Sequence, residues 1–247
     1  MRRKVQGFTL VEILASTAIG SIVLLLAVAS LSGTGNEYGR NTDGVAAERE
    51  ARAVLTQVAE DLSKASGSRL KVEKPNNGWR QDRLGFTCLQ PEDAQSKDEA
   101  IGDLCLVSYY VKDLQIGKET VRCLMRGFRS SDEVFAAIRN RQEEGLFDPR
   151  IEDEPVAFGV IAFEVDPLVR GRGGNWGEWK EPSELDPFAE YPDVIKLKLV
   201  VARRELVSKL RSTEDWDESP LIGDPSEAEY SKMLEIYEII HPFGHAR

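Results

Sequence analysis

The sequence predicts an α+β fold: an N-terminal transmembrane helix, then an amphipathic helix packed on an antiparallel β-sheet. Three observations carry this expectation. Residues Phe8 to Leu31 are uncharged except for Glu12. Apolar residues recur at helical spacing from about Val45 to Ser66. After them come short segments rich in β-branched and aromatic residues, separated by turn signals.

The chain has 247 residues, which suits one sizeable domain plus a short extra element. Hydrophobic residues make up 41%, enough to bury a core. A formal net charge of -10 argues against nucleic acid as a partner, because phosphate binding needs basic patches.

The first segment spans 24 residues. As a helix it would be about 36 Å long, against the roughly 20 residues a bilayer core requires. Arg2, Arg3 and Lys4 precede it, so its N-terminal end should stay cytoplasmic and the bulk of the chain should cross. Two processing schemes compete. A secretory signal peptide would be cut at the small-residue site Ala27-Val28-Ala29, before Ser30. A retained membrane helix would instead be trimmed at its cytoplasmic edge, after Gly7. Glu12 favours the second scheme. A carboxylate costs insertion free energy and is usually kept in a membrane segment for a function, with a partner. Cutting after Gly7 exposes the α-amino group of Phe8. Between neighbouring subunits of a filament, that amine can meet Glu12, offset its desolvation and set the axial register.

The stretch Gly7-Phe8-Thr9-Leu10-Val11-Glu12, following a short basic leader, resembles the processing motif of type IV pilins and type II secretion pseudopilins. The resemblance implies that a prepilin peptidase cuts after Gly7 and methylates the new N-terminal Phe8. It implies an assembly role for Glu12. It also implies a pilin-like fold, in which the second helix lies across the sheet.

Residues 32–44, SGTGNEYGRNTDG, hold four glycines. Each weakens a helix by about 1 kcal/mol relative to alanine, so the segment reads as a joint. This departs from the continuous rod of many relatives. In the following helix, Ala51, Val54, Leu55, Val58, Leu62 and Ala65 share one face. Asp43 is placed to cap its start and Gly67 to end it.

Strands are expected at Leu84 to Leu89, Leu104 to Val111, Thr120 to Arg126, Val156 to Val165 and Val194 to Ala202. The last alternates cleanly, with Ile195, Leu197, Leu199 and Val201 on one side and Lys196 and Lys198 on the other. Ser130-Ser131-Asp132-Glu133 forms a capping-box signal for a short helix carrying Val134, Phe135 and Ile138.

The three cysteines, Cys88, Cys105 and Cys123, form no CxxC pair, and the two histidines, His241 and His245, stand at the far end. No zinc site follows from that inventory. One disulfide with one thiol, or three buried thiols packing as small hydrophobes, are both open. If the first three strands form a meander, a Cys105–Cys123 or a Cys88–Cys105 bridge is conceivable.

Residues 166–193 read as a loop, rich in glycine and proline, with Trp176 and Trp179 packing it down. Its RGRGGNWGEW stretch fails the dinucleotide fingerprint, because Trp176 stands where the third glycine belongs. Residues 212–229 read as a solvated acidic loop. An EF-hand beginning at Asp215 fails, with Pro220 where glycine and Ser226 where glutamate should stand. Ser226 and Glu229 then resemble a second capping box. The last stretch, with Tyr230, Met233, Leu234, Tyr237 and Ile240, fits helical spacing, and a strand Leu234 to Ile240 is the alternative.

No G-x-S-x-G, HExxH or P-loop pattern occurs, so no enzymatic activity, cofactor, metal or small-molecule substrate is expected. Acidic pairs such as Glu152 with Glu154 read as surface. The order of the LVSYYVKD, VRCLMR and FGVIAFEVDP segments, the Trp-rich loop and a strand after Tyr191-Pro192 resembles the J-type minor pseudopilins.

The organisation expected is a leader at 1–7, a transmembrane and assembly helix at 8–31, a joint at 32–44 and an extracytoplasmic domain at 45–247. The function expected is that of a minor pseudopilin, a structural subunit of a type II secretion-like pseudopilus. Such a subunit would sit in the inner membrane with its C-terminal domain in the periplasm. Its partners would be prepilin peptidase, other minor and major pseudopilins, and membrane lipid. A minor pilin of a type IV pilus shares the same N-terminus. A soluble exported binding or hydrolytic protein released after Ala29 is the alternative of another class.

Overall fold

Glycine at one position decides how the sheets divide. The sequence predicts a single strand from Val156 to Val165. In the computed structural model Gly159 adopts a φ of +72°, which a residue with a Cβ rarely takes. A Cβ there would also meet Val207 Cγ2 at 3.0 Å. The chain turns at this residue, and the two halves enter different sheets.

The structure describes residues 48–75, 78–89, 104–171, 173–180, 191–223 and 233–243, with positions 17, 19, 21 and 24 besides. Helix α1 occupies 48–63. It is followed by β1 (Ala65–Glu73), β2 (Arg83–Leu89), β3 (Leu104–Ile116), β4 (Glu119–Arg129), α2 (Ser131–Asn140) and a 3-10 turn, Glu143–Phe147. Then come β5 (Glu154–Phe158), β6 (Val160–Arg170), β7 (Trp176–Glu178), β8 (Val194–Ala202), α3 (Arg204–Val207), α4 (Thr213–Glu218) and β9 (Leu234–Pro242). The first sheet runs β1-β2-β3-β4-β5 and the second β7-β6-β8-β9, with antiparallel pairing throughout. All these elements lie in one compact unit, Ala46–Arg247.

The apolar stripe of α1 is buried as its spacing requires. Ala51, Val54, Leu55, Val58 and Leu62 join one core cluster with inward side chains of both sheets. Each of the larger ones contributes about 1.5–3 kcal/mol of apolar burial. The helix ends earlier than expected: Ala65 opens β1 and Gly67 lies within that strand. This strand, ASGSRLKVE, went unread because it lacks alternation. A register shift between Ala65 and Leu70 explains why.

The sheets are also tied by polar contacts. Asp82, fully buried, accepts from the Val165 amide at 2.8 Å and from Arg80. Gln81 bridges to Phe163, and the Asp82 amide donates to the Phe163 carbonyl at 2.8 Å.

Other expectations are corrected. Asp166–Arg170 continue β6 rather than opening a loop, and Trp176–Glu178 pair with them as β7. Trp179 packs into the core, whereas Trp176 is exposed. Ser130 stands at the N-cap of α2, but its side chain makes no capping bond.

The acidic stretch folds at 213–218, where Ser212 and Asp215 form a capping box for α4. Trp216 is fully buried there and donates its indole N–H to the Thr120 carbonyl at 2.9 Å. Arg122 donates to the Trp216 carbonyl at 3.1 Å and to Asp217 at 2.7 Å, so that exposed carboxylate is paired with a buried guanidinium. The C-terminal segment is strand β9, paired with β8 from Leu234 to Pro242, rather than a helix. The expected caps at Asp43 and Ser226, the joint at 32–44 and Tyr230 lie outside the described residues.

Candidate functional site

Gly7, Phe8, Glu12, Arg2, Arg3 and Lys4 all lie outside the described residues, as does the predicted membrane helix apart from four positions. Those four, 17, 19, 21 and 24, are helical, with Ile19 and Leu24 largely exposed. Among the described residues no helix is long and apolar enough to cross a membrane.

The described residues show how the helix that follows is fixed to its head. Asp61 lies on the apolar stripe of α1 and is 4% exposed. It accepts from the Tyr109 hydroxyl of β3 at 2.6 Å and from Arg126 Nε of β4 at 2.8 Å. Burial, with the Asp61 charge beside it, holds the Tyr109 hydroxyl far above its ordinary titration range, so it remains a donor. Toward the start of the described helix, Glu50 accepts from the Phe158 amide of β5 at 2.9 Å. Two carboxylates and one apolar stripe thus set the axial position of α1 on the first sheet. Sequence reading passed over Asp61. Its signal was present: a carboxylate at i+3 from Val58 on an otherwise apolar face.

The opposite face of the same sheet carries a second polar cluster. The side chains of Arg129 and Asp153 are 0% and 1% exposed and pair at 2.5 Å. Asp153 also accepts from the Tyr110 hydroxyl and from the Arg150 amide, each at 2.8 Å. Arg129 reaches the Asp148 carbonyl at 2.9 Å. The cluster holds the 148–153 turn against β3 and β4.

Burial alone would raise the Asp153 carboxyl, but the bonds from Arg129, the Arg150 amide and Tyr110 hold it below the ordinary range. A carboxylate lowered in the folded state stabilises at neutral pH, and that stability is lost as pH falls through its folded pKa. The thermal midpoint should therefore drop below about pH 4, and Asp153→Asn should flatten that acid limb. An unchanged acid limb in Asp153→Asn, measured by calorimetry of the full chain, would contradict the assignment.

Among the described residues no group of His, Cys, Asp and Glu could hold a metal ion. An open cleft of about 890 Å³ lies between α2 and the 3-10 turn. Its rim carries Glu133, Arg141, Glu143, Glu144 and Arg150, with Arg150 bonded to Glu133 at 3.1 Å.

The three cysteines are thiols in the structure. Cys88 and Cys105 are register partners on β2 and β3. Cys123 stands opposite Lys112, seven positions along β3 from Cys105. That is about 24 Å at about 3.4 Å per residue, and an odd offset puts the two on opposite faces. The Cys105–Cys123 alternative is thereby excluded in the folded chain.

Residues 2–28 match the family described as the prokaryotic N-terminal methylation motif, the signal of type IV pilins and pseudopilins. The structure is similar to that of the type IV-like pilin TTHA1219 from Thermus thermophilus, with 14% sequence identity and a TM-score of 0.42. The likeness covers 79% of this chain and 96% of that one. Comparison with curated proteins finds no match.

Proposed function

We propose that the chain is a minor pseudopilin, a membrane-anchored structural subunit of a type II secretion-like filament. The observation that supports this most is the order of groups inside the methylation-motif match: basic leader, Gly7-Phe8, Glu12, then an uncharged run. On this reading prepilin peptidase cuts after Gly7 and methylates Phe8. The helix at 8–31 then anchors the subunit in the inner membrane and packs among neighbouring helices. The charged amine of Phe8 on one subunit pairs with Glu12 of another and fixes the axial step. The head lies in the periplasm and presents its surface to other minor and major subunits. Asp61 and Glu50 have a mechanical part here, because they tie α1 to the first sheet.

Glu12→Ala tests the pairing. The variant should insert in the membrane and be processed as the native chain is. Its recovery in sheared or cross-linked filaments should fall by about tenfold or more, since one unpaired charge in lipid costs several kcal/mol. Incorporation at the native level would remove the pairing and the register argument with it.

A further inference from the structure

We propose that Cys88 and Cys105 close a cross-strand disulfide between β2 and β3 in the exported chain. The inference rests on the export that the proposed function entails, and on geometry independent of it. The two residues face each other in the antiparallel register. Both are fully buried, and both belong to the core cluster that receives α1. Directly opposed residues of an antiparallel pair have Cα atoms about 4.5–5.5 Å apart, inside the roughly 4.4–6.8 Å range that a disulfide spans. The register thus places the two residues at a backbone separation that a disulfide can span.

The bond would sit at a structural corner. Cys88 is also the register partner of Ala65, the first residue of β1, and the Leu89 amide donates to the Lys64 carbonyl at 2.9 Å. A link there pins the β2–β3 register where α1 passes into β1, and closes the connection between the two strands into a ring. Closing such a ring removes conformational freedom from the unfolded chain.

The chemistry balances by thiol–disulfide exchange with a protein disulfide of the exported compartment. One Cys88–Cys105 S–S bond forms and one S–S bond of the oxidant breaks. The two thiol protons pass to the oxidant's sulfurs, which leave as a dithiol, and the chain loses two hydrogen atoms. Cys123 takes no part. It lies in a separate cluster with Tyr110 and Met125. Burial, with Asp113 and Glu50 adding to it, pushes its thiol up to about 12, so the nucleophilic thiolate is scarce.

The test uses the full-length chain made with its own N-terminus. Thiols in isolated membranes are trapped with acid, then alkylated with iodoacetamide under denaturing conditions without reductant. Peptide mass analysis should find alkylation at Cys123 alone, and a Cys88–Cys105 cross-linked peptide that reductant separates. Cys123→Ser should keep the link, and Cys105→Ser should leave Cys88 alkylated. Protease added to spheroplasts reports separately whether the domain is exported. Alkylation of Cys88 and Cys105 on an exported domain would overturn the disulfide and leave the pseudopilin reading standing. A domain shielded from protease would count against that reading. The pairing is then decided by oxidising the reduced full-length protein in detergent with glutathione disulfide: a Cys88–Cys105 link supports it, and three thiols or a link through Cys123 overturn it.

Discussion

Gly7→Ala is expected to leave almost all of the chain uncut, with Arg2, Arg3 and Lys4 still attached. On the proposed reading Gly7 contributes the carbonyl of the scissile bond. Glycine presents that carbonyl with no Cβ and with a backbone free to adopt the conformation a peptidase imposes. Alanine removes both properties at the one position where the enzyme acts. The consequence reaches beyond the leader. An uncut chain has no free amine at Phe8, so Glu12 loses the partner that offsets its burial. Filament recovery should therefore fall to background together with processing, while membrane insertion, driven by the apolar run, persists. Intact mass of the membrane-extracted variant checks the first part and shear fractionation the second. Normal trimming would count against the peptidase assignment.

The second large effect concerns the head. Arg129→Met should lower the thermal midpoint of the full chain by roughly 6–20 °C. The substitution nearly preserves side-chain volume but strands the Asp153 carboxylate, whose side chain is 1% exposed, beside the Tyr110 hydroxyl. Breaking a buried pair from one side costs about 3–5 kcal/mol, and each kcal/mol moves the midpoint of a domain this size by about 2–4 °C. Arg129→Met with Asp153→Leu should recover much of the loss, because the uncompensated charge is gone. A single variant that melts with the native protein would show that the pair does not hold the 148–153 turn.

How much of this was legible in the sequence differs by element and for physical reasons. The α1 stripe and strand β8 were read correctly, because one-sided burial imposes a period on the residue types: 3.6 for Val54, Val58 and Leu62, and 2 for Ile195, Leu197 and Leu199. Strand β1 was missed because its polar residues and its register shift erase that period. The break at Gly159 was invisible because both halves of the Val156–Val165 run are apolar, and only a positive φ separates them. The final segment fitted two periods at once, and the open edge of β8 decided for a strand.

The acidic stretch misled for a different reason. Trp216 was the signal against a solvated loop, since its indole N–H finds its acceptor across the chain, on Thr120. Choosing between the two conceivable cysteine bridges takes register, which alternation on single strands does not supply. Gly7, Phe8 and Glu12 are singled out by sequence alone, because a charge in an otherwise uncharged run stands out locally. Asp61 could not be given its role the same way, because Tyr109 and Arg126 are distant in sequence.

On the proposed reading the mature chain stays in the membrane and begins at a modified Phe8. Intact-mass and N-terminal peptide analysis of the native protein extracted from membranes tests it most directly. The expected chain starts at Phe8, carries one methyl group on its α-nitrogen and keeps the 8–31 segment attached. A mature chain starting at Ser30, recovered in the soluble fraction, would contradict it.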